Sequence, residues 1–479
     1  MGEDLLSFIE HGFQDNQSLS DLKKQLMEKG FLEDEIDTEI ERFAARVHSD
    51  KALSSKKLSK LFALKEIFDR IGYGFVSNPF INILFLHSGA SYFFIAFVNG
   101  LKMILSLFLS SYFKEFSKVH YIGKKLIKRG GVIFGFSFLL MAVGRMVKNP
   151  LIFAFAILIG CAAVVTHGEF YLRFLRENLS DKNRGFFLTK VAYFGILITA
   201  LSLLISGFVM DFFPSSGSFK INLFGKSIAV YGYLICFEIT AFVFIISSYV
   251  LSFIKENIVV SKTRVFSFFG EFFSRAKLHM GVFLNNKIVL LLALTSAISG
   301  ILQVLGTSFY GIFIYEFFKT SFLGGFLNVS FVFVIAVLVS FLGPLVTRKL
   351  KDYIGVSPML VFGTLLSAML PLALVYNRSI AVVCAASALS ILGGSIVGVG
   401  QSLFTRKLLF EEERRIYFSF LGFVTALPLL ILVPFGSYLV GAVGLTTFFK
   451  ILIFATCFIV APLYFLMVIL YERTLHQKI

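Results

Sequence analysis

The sequence predicts an all-α polytopic membrane protein: twelve transmembrane helices in two pseudo-symmetric six-helix halves, preceded by a small N-terminal cytoplasmic helical module. Three observations predict this fold. Long apolar stretches fill residues 79–471, positive charges between them alternate from side to side, and short motifs recur about 232 residues apart. Each stretch offers at least ~18 weakly charged residues, enough for a helix across ~30 Å of hydrocarbon. The spans must be helical because backbone amides find no water in lipid.

The predicted spans follow the borders of the apolar stretches. They cover residues 79–98, 100–117, 130–147, 150–173, 185–212, 227–254, 287–317, 323–346, 356–376, 379–404, 416–440 and 445–471. An even number of spans places both chain ends on one side of the membrane. Lysines and arginines in the loops and helix ends number 26 on that side and eight on the other. The positive-inside rule therefore predicts that both termini are cytoplasmic.

Composition and charge exclude several classes of protein. Hydrophobic residues make up 57% of the chain, more than a soluble domain carries. The net charge of +16 is segregated, with −4 on residues 1–70 and +20 on the rest. This distribution predicts contact with membrane lipid, not with nucleic acid. The four cysteines stand alone in the predicted spans, and no enzyme signature appears, so we expect no metal site, no cofactor and no catalysis.

The N-terminal module is predicted to cover residues 1–70. Apolar residues recur at helical spacing on both sides of Gly30, which can close a first helix. This pattern predicts two or three short helices. The run LMEKGFLEDEIDTEI resembles a ubiquitin-associated-like three-helix fold, in which a Gly-Phe turn links the first two helices. A module that binds a protein partner and a small helical cap without one both fit this pattern.

A repeat divides the membrane part of the chain. The tetrapeptide His-Tyr-Ile-Gly at 120–123 recurs as Asp-Tyr-Ile-Gly at 352–355, and Arg-Gly-Phe-Phe at 184–187 recurs as Arg-Ile-Tyr-Phe at 415–418. Helices two and five then correspond to helices eight and eleven, as expected of two parallel six-helix repeats. The predicted boundaries are 71–254 for the first half, 255–286 for a cytoplasmic linker and 287–473 for the second half.

The six-plus-six repeat, the long central linker and a charged loop after the second helix of each half resemble the major facilitator superfamily over residues 75–473. That family's charged loop signature is split here between the halves. The residues that match it, or that could partner it from helices five and eleven, are His120, Gly123, Lys124, Lys125, Arg184, Leu350, Asp352, Gly355 and Arg415. The resemblance implies that they gate the cytoplasmic side through charged contacts. Ordinary solvated loop charge is the alternative.

The resemblance also implies a central cavity lined mainly by helices one, four, seven and ten. Polar residues inside a bilayer are costly and mark function. On the predicted spans, the candidates for contact with a substrate or coupling ion are His87, Lys102, His167, Glu169, Gln303, Asn328 and Gln401. Glu169 is the predicted proton carrier, with an interfacial carboxylate paired to Arg173 as the alternative. Glu238, in the sixth helix, is predicted to have a structural partner.

The resemblance implies a secondary active transporter in the cell membrane that moves a small solute, with proton coupling as one option, by alternating access. Two alternatives stay open. The 61 phenylalanines favour a lipid or lipid-linked saccharide flippase. The N-terminal module favours a non-transporting receptor or scaffold that binds a protein through residues 1–70, and a continuous polar-lined cavity would count against this second alternative.

Overall fold

The structure, a computed structural model, describes residues 26–27, 58–119, 124–179, 181–214, 219–223, 226–254, 268–319, 322–377 and 379–476. Contacts divide the chain into two compact units, Met1–Ala63 and Leu64–Ile479. Apart from Leu26 and Met27, the run that resembles a ubiquitin-associated fold lies outside the described residues. The predicted module and its boundary at residue 70 therefore stay predictions.

The first half of the membrane unit contains seven described helices and one hairpin. These are α1 (residues 58–75, of which 64–75 belong to this unit), α2 (Asn78–His87), α3 (Tyr92–Val119), α4 (Lys124–Met146), α5 (Pro150–Asn178), α6 (Asp181–Phe212), β1 (Lys220–Leu223), β2 (Lys226–Ala229) and α7 (Gly232–Val250). A short 3-10 turn, Leu251–Phe253, follows α7. The two strands pair antiparallel, with Lys220 opposite Ala229.

The linker and the second half contain the remaining described helices. They are α8 (Phe269–His279) and α9 (Gly281–Leu284) in the linker, then α10 (Lys287–Phe317), α11 (Gly325–Ser340), α12 (Gly343–Ile354), α13 (Val356–Ser367), α14 (Met369–Tyr376), α15 (Ile380–Leu408), α16 (Glu411–Val443), α17 (Leu445–Ala455) and α18 (Ala461–His476). A π-helical turn, Thr456–Val460, joins α17 to α18. We call the end of the bundle that carries the C-terminal end of α18 the tail end, and the opposite end the far end.

Within the described residues, ten helical segments are long and apolar enough to cross a membrane. The pair α11 and α12, bent by 51° at the break between them, forms an eleventh candidate. The chain is therefore a multi-pass membrane protein whose spans are α-helical. Neither α1 nor α2 is among these candidates, so the count of twelve spans stays a prediction.

The first two predicted spans, 79–98 and 100–117, are placed wrongly. The chain turns at residues 88–91, where Gly89 has φ 96°, and α3 then continues without a break from Tyr92 to Val119. Gly100, the first residue of the second predicted span, lies inside α3, where a Cβ atom would come within 2.3 Å of the Val433 side chain. This glycine permits close helix packing instead of a turn. Lys102 consequently moves from a helix end to the interior of α3.

The sixth predicted span, 227–254, begins too early. Residues 226–229 form β2, and α7 begins only at Gly232. The Gly232 amide donates to the Phe213 carbonyl at 2.8 Å, and a Cβ atom at position 232 would lie 2.3 Å from the Val209 carbonyl. Close packing on the end of α6 therefore fixes the start of α7.

Two antiparallel helix pairs join the halves. α3 packs on α16, where the Ser111 hydroxyl accepts from the Phe423 amide at 3.0 Å and a Cβ at Gly422 would lie 2.5 Å from the Leu107 carbonyl. α6 packs on α11, where a Cβ at Gly207 would lie 2.9 Å from that of Ser330. Because helices two and eight correspond in the sequence repeat, as do five and eleven, this exchanged pairing fits two related halves.

The linker helix α8 contacts both halves at the tail end. The Phe272 ring lies 5.4 Å from the Tyr112 ring of α3 and 5.6 Å from the Phe423 ring of α16. Arg275 of α8 lies 3.8 Å from the carboxylate of Glu115 in α3. Edge-to-face aromatic contacts of this kind stabilise by about 0.5–1.5 kcal/mol each beyond their buried area. The linker is thus bound across the α3–α16 pair.

A buried ion pair holds α1 inside the first half. Lys65 pairs with Asp69 one helical turn later, and both side chains are nearly inaccessible. Asp69 also accepts a hydrogen bond from Ser247 of α7, and the Lys65 ammonium lies 3.7 Å above the Tyr171 ring of α5. Removing only one member of such a pair leaves a buried charge and costs about 3–5 kcal/mol.

Candidate functional site

A polar cavity of about 530 Å³ lies in the second half among α10, α11, α13, α15 and the turn Thr456–Val460. Its described polar wall consists of hydroxyl and amide side chains, with no charged residue. They are Ser296, Ser299, Gln303, Thr307, Tyr310, Ser340, Thr364, Ser367, Ser387, Ser390, Ser395, Gln401 and Thr456. Hydroxyls and amides both donate and accept, so this wall suits an uncharged polar group.

A second cavity, of about 480 Å³, lies in the first half. Aromatic and aliphatic side chains of α4 and α5 form much of its wall, including Phe134, Phe138 and Ile157. Lys102 is the one charged side chain in its described lining. Both cavities contact Phe333 of α11, so this ring stands between a hydroxyl-rich compartment and a compartment with a single cation.

Lys102 lies ten residues after the start of α3, about 15 Å along the helix axis. Its ammonium donates to the Asn78 side-chain oxygen at 2.9 Å. Within the described part of the chain, no carboxylate oxygen lies within 4.0 Å of it. A charge near the bilayer centre costs about 2.5–3.5 kcal/mol on insertion scales and marks a functional site.

The far end of the bundle is closed by contacts between the halves. Asp211, near the end of α6, accepts from the backbone amides of Phe326 at 2.9 Å and Leu327 at 2.7 Å, in the first turn of α11. A carboxylate is favoured there because these amides have no partner inside the helix. Beside this contact, the Tyr92 hydroxyl donates to Glu316 of α10 at 3.1 Å.

No family model matches the sequence, and no curated protein matches it. Solved structures do match the architecture. The nucleoside transporter NupG superposes with a TM-score of 0.66 at 13% identity, covering 86% of this chain and 99% of that one. A bacterial homologue of the iron transporter ferroportin, in an inward-facing state, gives 0.59 at 12% identity, covering 87% and 98%.

A bacterial homologue of the human lysosomal transporter Spinster, inward-facing and unoccupied, gives a TM-score of 0.57 at 13% identity, covering 87% of this chain and 96% of that one. These proteins are transporters of the major facilitator fold. The chain has this fold. At such low identity the likeness extends to architecture alone, so the site must be read from this chain's own residues.

Three of the seven predicted substrate candidates line the cavities of this major facilitator fold: Lys102, Gln303 and Gln401. Gln303 is exposed in the second-half cavity and makes no hydrogen bond to the described residues. The Gln401 amide donates to the Ser296 hydroxyl at 3.2 Å and to the Tyr464 hydroxyl. Gln303 is thus free to contact a solute, whereas Gln401 is oriented by its neighbours.

His167 and Glu169 lie outside the described lining of both cavities. The His167 ring is buried, with Nδ1 2.9 Å from the Ile127 carbonyl of α4. Glu169 accepts from the Ser110 hydroxyl and lies 3.9 Å from the Lys114 ammonium, both on α3. The carboxylate therefore links α5 to α3. Its cationic neighbour is Lys114, where the sequence predicted Arg173. Its role as a proton carrier stays a prediction.

His87 and Asn328 lie near the far end and do not line either cavity. The His87 ring meets Tyr315 of α10 edge-on, with centroids 5.3 Å apart. The Asn328 amide donates to the Phe318 carbonyl at 2.8 Å and accepts from the Leu323 amide at 3.2 Å. Asn328 thus orders the loop between α10 and α11, and His87 packs against the second half beside the far-end contacts.

Glu238 differs from its prediction. Its side chain is exposed on α7 and has no hydrogen bond or ion pair with the described residues. The expected structural partner is therefore not found there. Sequence reasoning could not choose the face because α7 is apolar on nearly every side, so no polar stripe indicated which residues point outward.

Among the predicted gating residues that the structure describes, Asp352 and Arg415 make no bond across the halves at the tail end. Asp352 is exposed, without a polar partner in the described residues, and Arg415 pairs at 3.4 Å with Glu411 on its own helix. Lys124 donates to the Ser252 carbonyl of its own half, at 3.3 Å. Lys125 is exposed and Leu350 half-buried. His120, Gly123 and the Arg184 side chain lie outside the described residues.

Gly355, also predicted for the gate, forms the junction of α12 and α13 with φ 77° and ψ 175°. This backbone conformation is essentially restricted to glycine, and other residues pay about 1–3 kcal/mol for it. A Cβ atom there would meet nothing within 4 Å. The requirement for glycine at this position is therefore conformational.

Sequence reasoning missed the hydroxyl wall of the second-half cavity. Its signal was present as helical spacing: Ser296, Ser299, Gln303 and Thr307 recur on one face of α10. Ser387, Ser390 and Gln401 recur in the same way on α15. It also missed Ser77 and Asn78, because the first span was placed too late for these residues to face Lys102.

Proposed function

We propose that the protein is a secondary active transporter that moves a small solute across the membrane by alternating access. One observation supports this most: a hydroxyl-lined cavity in the second half and a mainly apolar cavity with one cation in the first half share Phe333 in their walls. Their volumes, about 530 and 480 Å³, fall in the range of small-molecule sites. A site shared by two related halves is the arrangement that rocking motion requires.

The distribution of contacts supports one particular state. At the far end, Asp211 and Tyr92 join the halves through polar side chains. At the tail end, the described contacts between the halves run through the α3–α16 pair and the linker helix α8, and Asp352 and Arg415 make no bond across the halves. The charge bias of the loops favours a cytoplasmic location of the tail end. We therefore assign the protein to the cell membrane, with both termini cytoplasmic, in an inward-facing state.

The hydroxyl-lined cavity of the second half counts against the scaffold alternative, because a protein that only binds a partner through residues 1–70 has no need of it. The uncharged wall of the second-half cavity favours a solute with hydroxyl or amide groups. Proton coupling through Glu169 is a separate element of the proposal and is tested by itself.

Proteoliposomes test the function directly. Vesicles with the purified protein and protein-free vesicles are incubated with a defined metabolite mixture at two pH values, and their contents are measured by mass spectrometry. At least one solute should enter only with the protein. Gly394→Trp should abolish its entry, because position 394 lines the second-half cavity and has free space beside it.

A matched control places the same side chain on the lipid-facing surface. Phe362 of α13 is exposed, so Phe362→Trp should leave uptake unchanged. Entry of lipid analogues but of no water-soluble metabolite would favour the flippase. Binding of a protein partner without any transport would favour the scaffold.

A further inference from the structure

The cation of the first-half cavity has unused hydrogen-bonding capacity. A lysine ammonium has three donors, and Lys102 gives one to Asn78. The others have no partner among the described residues. The Ser77 hydroxyl lines the same cavity, is buried, and has no hydrogen-bond partner in the described part of the structure. The Ser77 hydroxyl is an unsatisfied buried group, which costs about 1–3 kcal/mol, and the Lys102 ammonium has donors to spare, so both can bind an acceptor in this cavity.

The charge of this cavity is also unbalanced. Its described lining contains Lys102 and no carboxylate. The second-half cavity, beyond Phe333, contributes no charge. Since a low-dielectric site strengthens attraction between opposite charges, the two compartments together favour a solute with one negative group. A single ammonium without an arginine matches a carboxylate better than a doubly charged phosphate.

We propose that the transported solute is an organic monoanion whose carboxylate binds Lys102, Asn78 and Ser77, while its uncharged polar body reaches past Phe333 to the hydroxyls of the second half. This inference rests on the proposed function and adds the chemical class of the solute. The side chains lie in place for it. Ser77 is the N-cap of α2 and Asn78 is its first residue, and Asn78 contacts Lys102 of α3.

Charge-selective thiol reagents test the site without knowledge of the solute. Val164 lines the same cavity on α5. Val164→Cys is made in a background in which Cys161, Cys236, Cys384 and Cys457 are replaced, and the protein is placed in nanodiscs. Anionic, cationic and neutral methanethiosulfonates are compared, each normalised to its rate with a free thiol. The anionic reagent should react at least fivefold faster than the cationic one.

Variants assign this preference to Lys102. Lys102→Gln should reduce the ratio to about one or below, and Lys102→Arg should keep it, which also controls for folding. Lys287→Gln removes an exposed lysine at the start of α10 and should change nothing. Benzoate should slow labelling by the neutral reagent at least threefold more than benzamide, its uncharged analogue.

Four results would overturn the inference: no preference for the anionic reagent, a preference that survives Lys102→Gln, equal effects of benzoate and benzamide, or no labelling by the neutral reagent. The assay needs no transport. A protein that transports but lacks the preference loses this inference alone, whereas one with the preference but without transport loses the proposed function.

Discussion

The far-end contact between Asp211 and α11 gives the sharpest prediction about the conformational balance. Asp211→Ala removes a carboxylate of the first half that accepts two backbone amides of the second half, at 2.9 and 2.7 Å. A hydrogen bond to a charged group contributes about 1.5–3 kcal/mol. Water replaces part of this hydrogen bonding when the far end opens. We therefore use the free energy of one such bond for the two bonds to Asp211 together.

That free energy corresponds to a shift of roughly tenfold to a hundredfold toward the far-end-open state, at about 1.4 kcal/mol per factor of ten. Asp211→Asn keeps one acceptor and should give a smaller shift. Spin labels at two exposed far-end positions, Val147 after α4 and Tyr376 at the end of α14, report the opening. Pulsed electron resonance should show a longer distance in the alanine variant.

The control is Glu238→Gln, which removes an exposed carboxylate of α7 that has no described partner. It should leave the distance distribution unchanged. Identical distributions for the parent and Asp211→Ala, in well-folded protein, would refute the reasoning, because the contact would then contribute nothing to closure.

Three further predictions concern individual side chains. Lys65→Met should lower the free energy of unfolding by about 3–5 kcal/mol, because it leaves the buried Asp69 carboxylate without its counter-charge. The double variant Lys65→Met/Asp69→Leu should lower it by less. Thermal unfolding in detergent measures both. If Glu169 carries the coupled proton, Glu169→Gln should abolish gradient-driven uptake in proteoliposomes while exchange persists; unchanged pH-dependent uptake would leave it as the partner of Lys114. Gly355→Ala should lower the free energy of unfolding by about 1–3 kcal/mol, because position 355 has a φ of 77°. Gly270→Ala, inside α8, is the control and should not destabilise. Equal melting temperatures for the two variants would contradict the prediction.

Much of the helical architecture was predictable because apolar length is a strong signal in membrane proteins. The predicted span 287–317 coincides with α10, Lys287–Phe317. The failure at 79–98 has a local cause. The predicted boundary fell next to Gly100, whose backbone instead packs directly against Val433 of the other half, a contact between residues far apart in sequence. Short-range patterns cannot distinguish a turn glycine from a packing glycine.

The site was only partly predictable. Lys102 and Gln303 were found because charged and amide groups are rare inside a membrane. The serine and threonine wall was missed because such hydroxyls commonly bond to their own helix, as Thr295 does to the Leu291 carbonyl at 2.8 Å. A single hydroxyl therefore carries little information. Only its recurrence on one face of α10 and α15 indicates a cavity.

The central claim is that the halves open alternately on the two sides of a shared site. Labelling of Gln303→Cys with a membrane-impermeant reagent, applied from either side of oriented proteoliposomes, tests it most directly. The background lacks the four native cysteines and carries Phe93→Cys and Gly441→Cys. Their Cβ positions lie 3.1 Å apart across α3 and α16 at the far end, a few tenths of an ångström short of the ~3.5–4.5 Å of a disulfide, so that oxidation locks the far end. We predict tail-side labelling in both redox states, far-side labelling only after reduction, and solute uptake only after reduction. Labelling from one side alone in both states, or uptake that continues in the oxidised protein, would contradict alternating access.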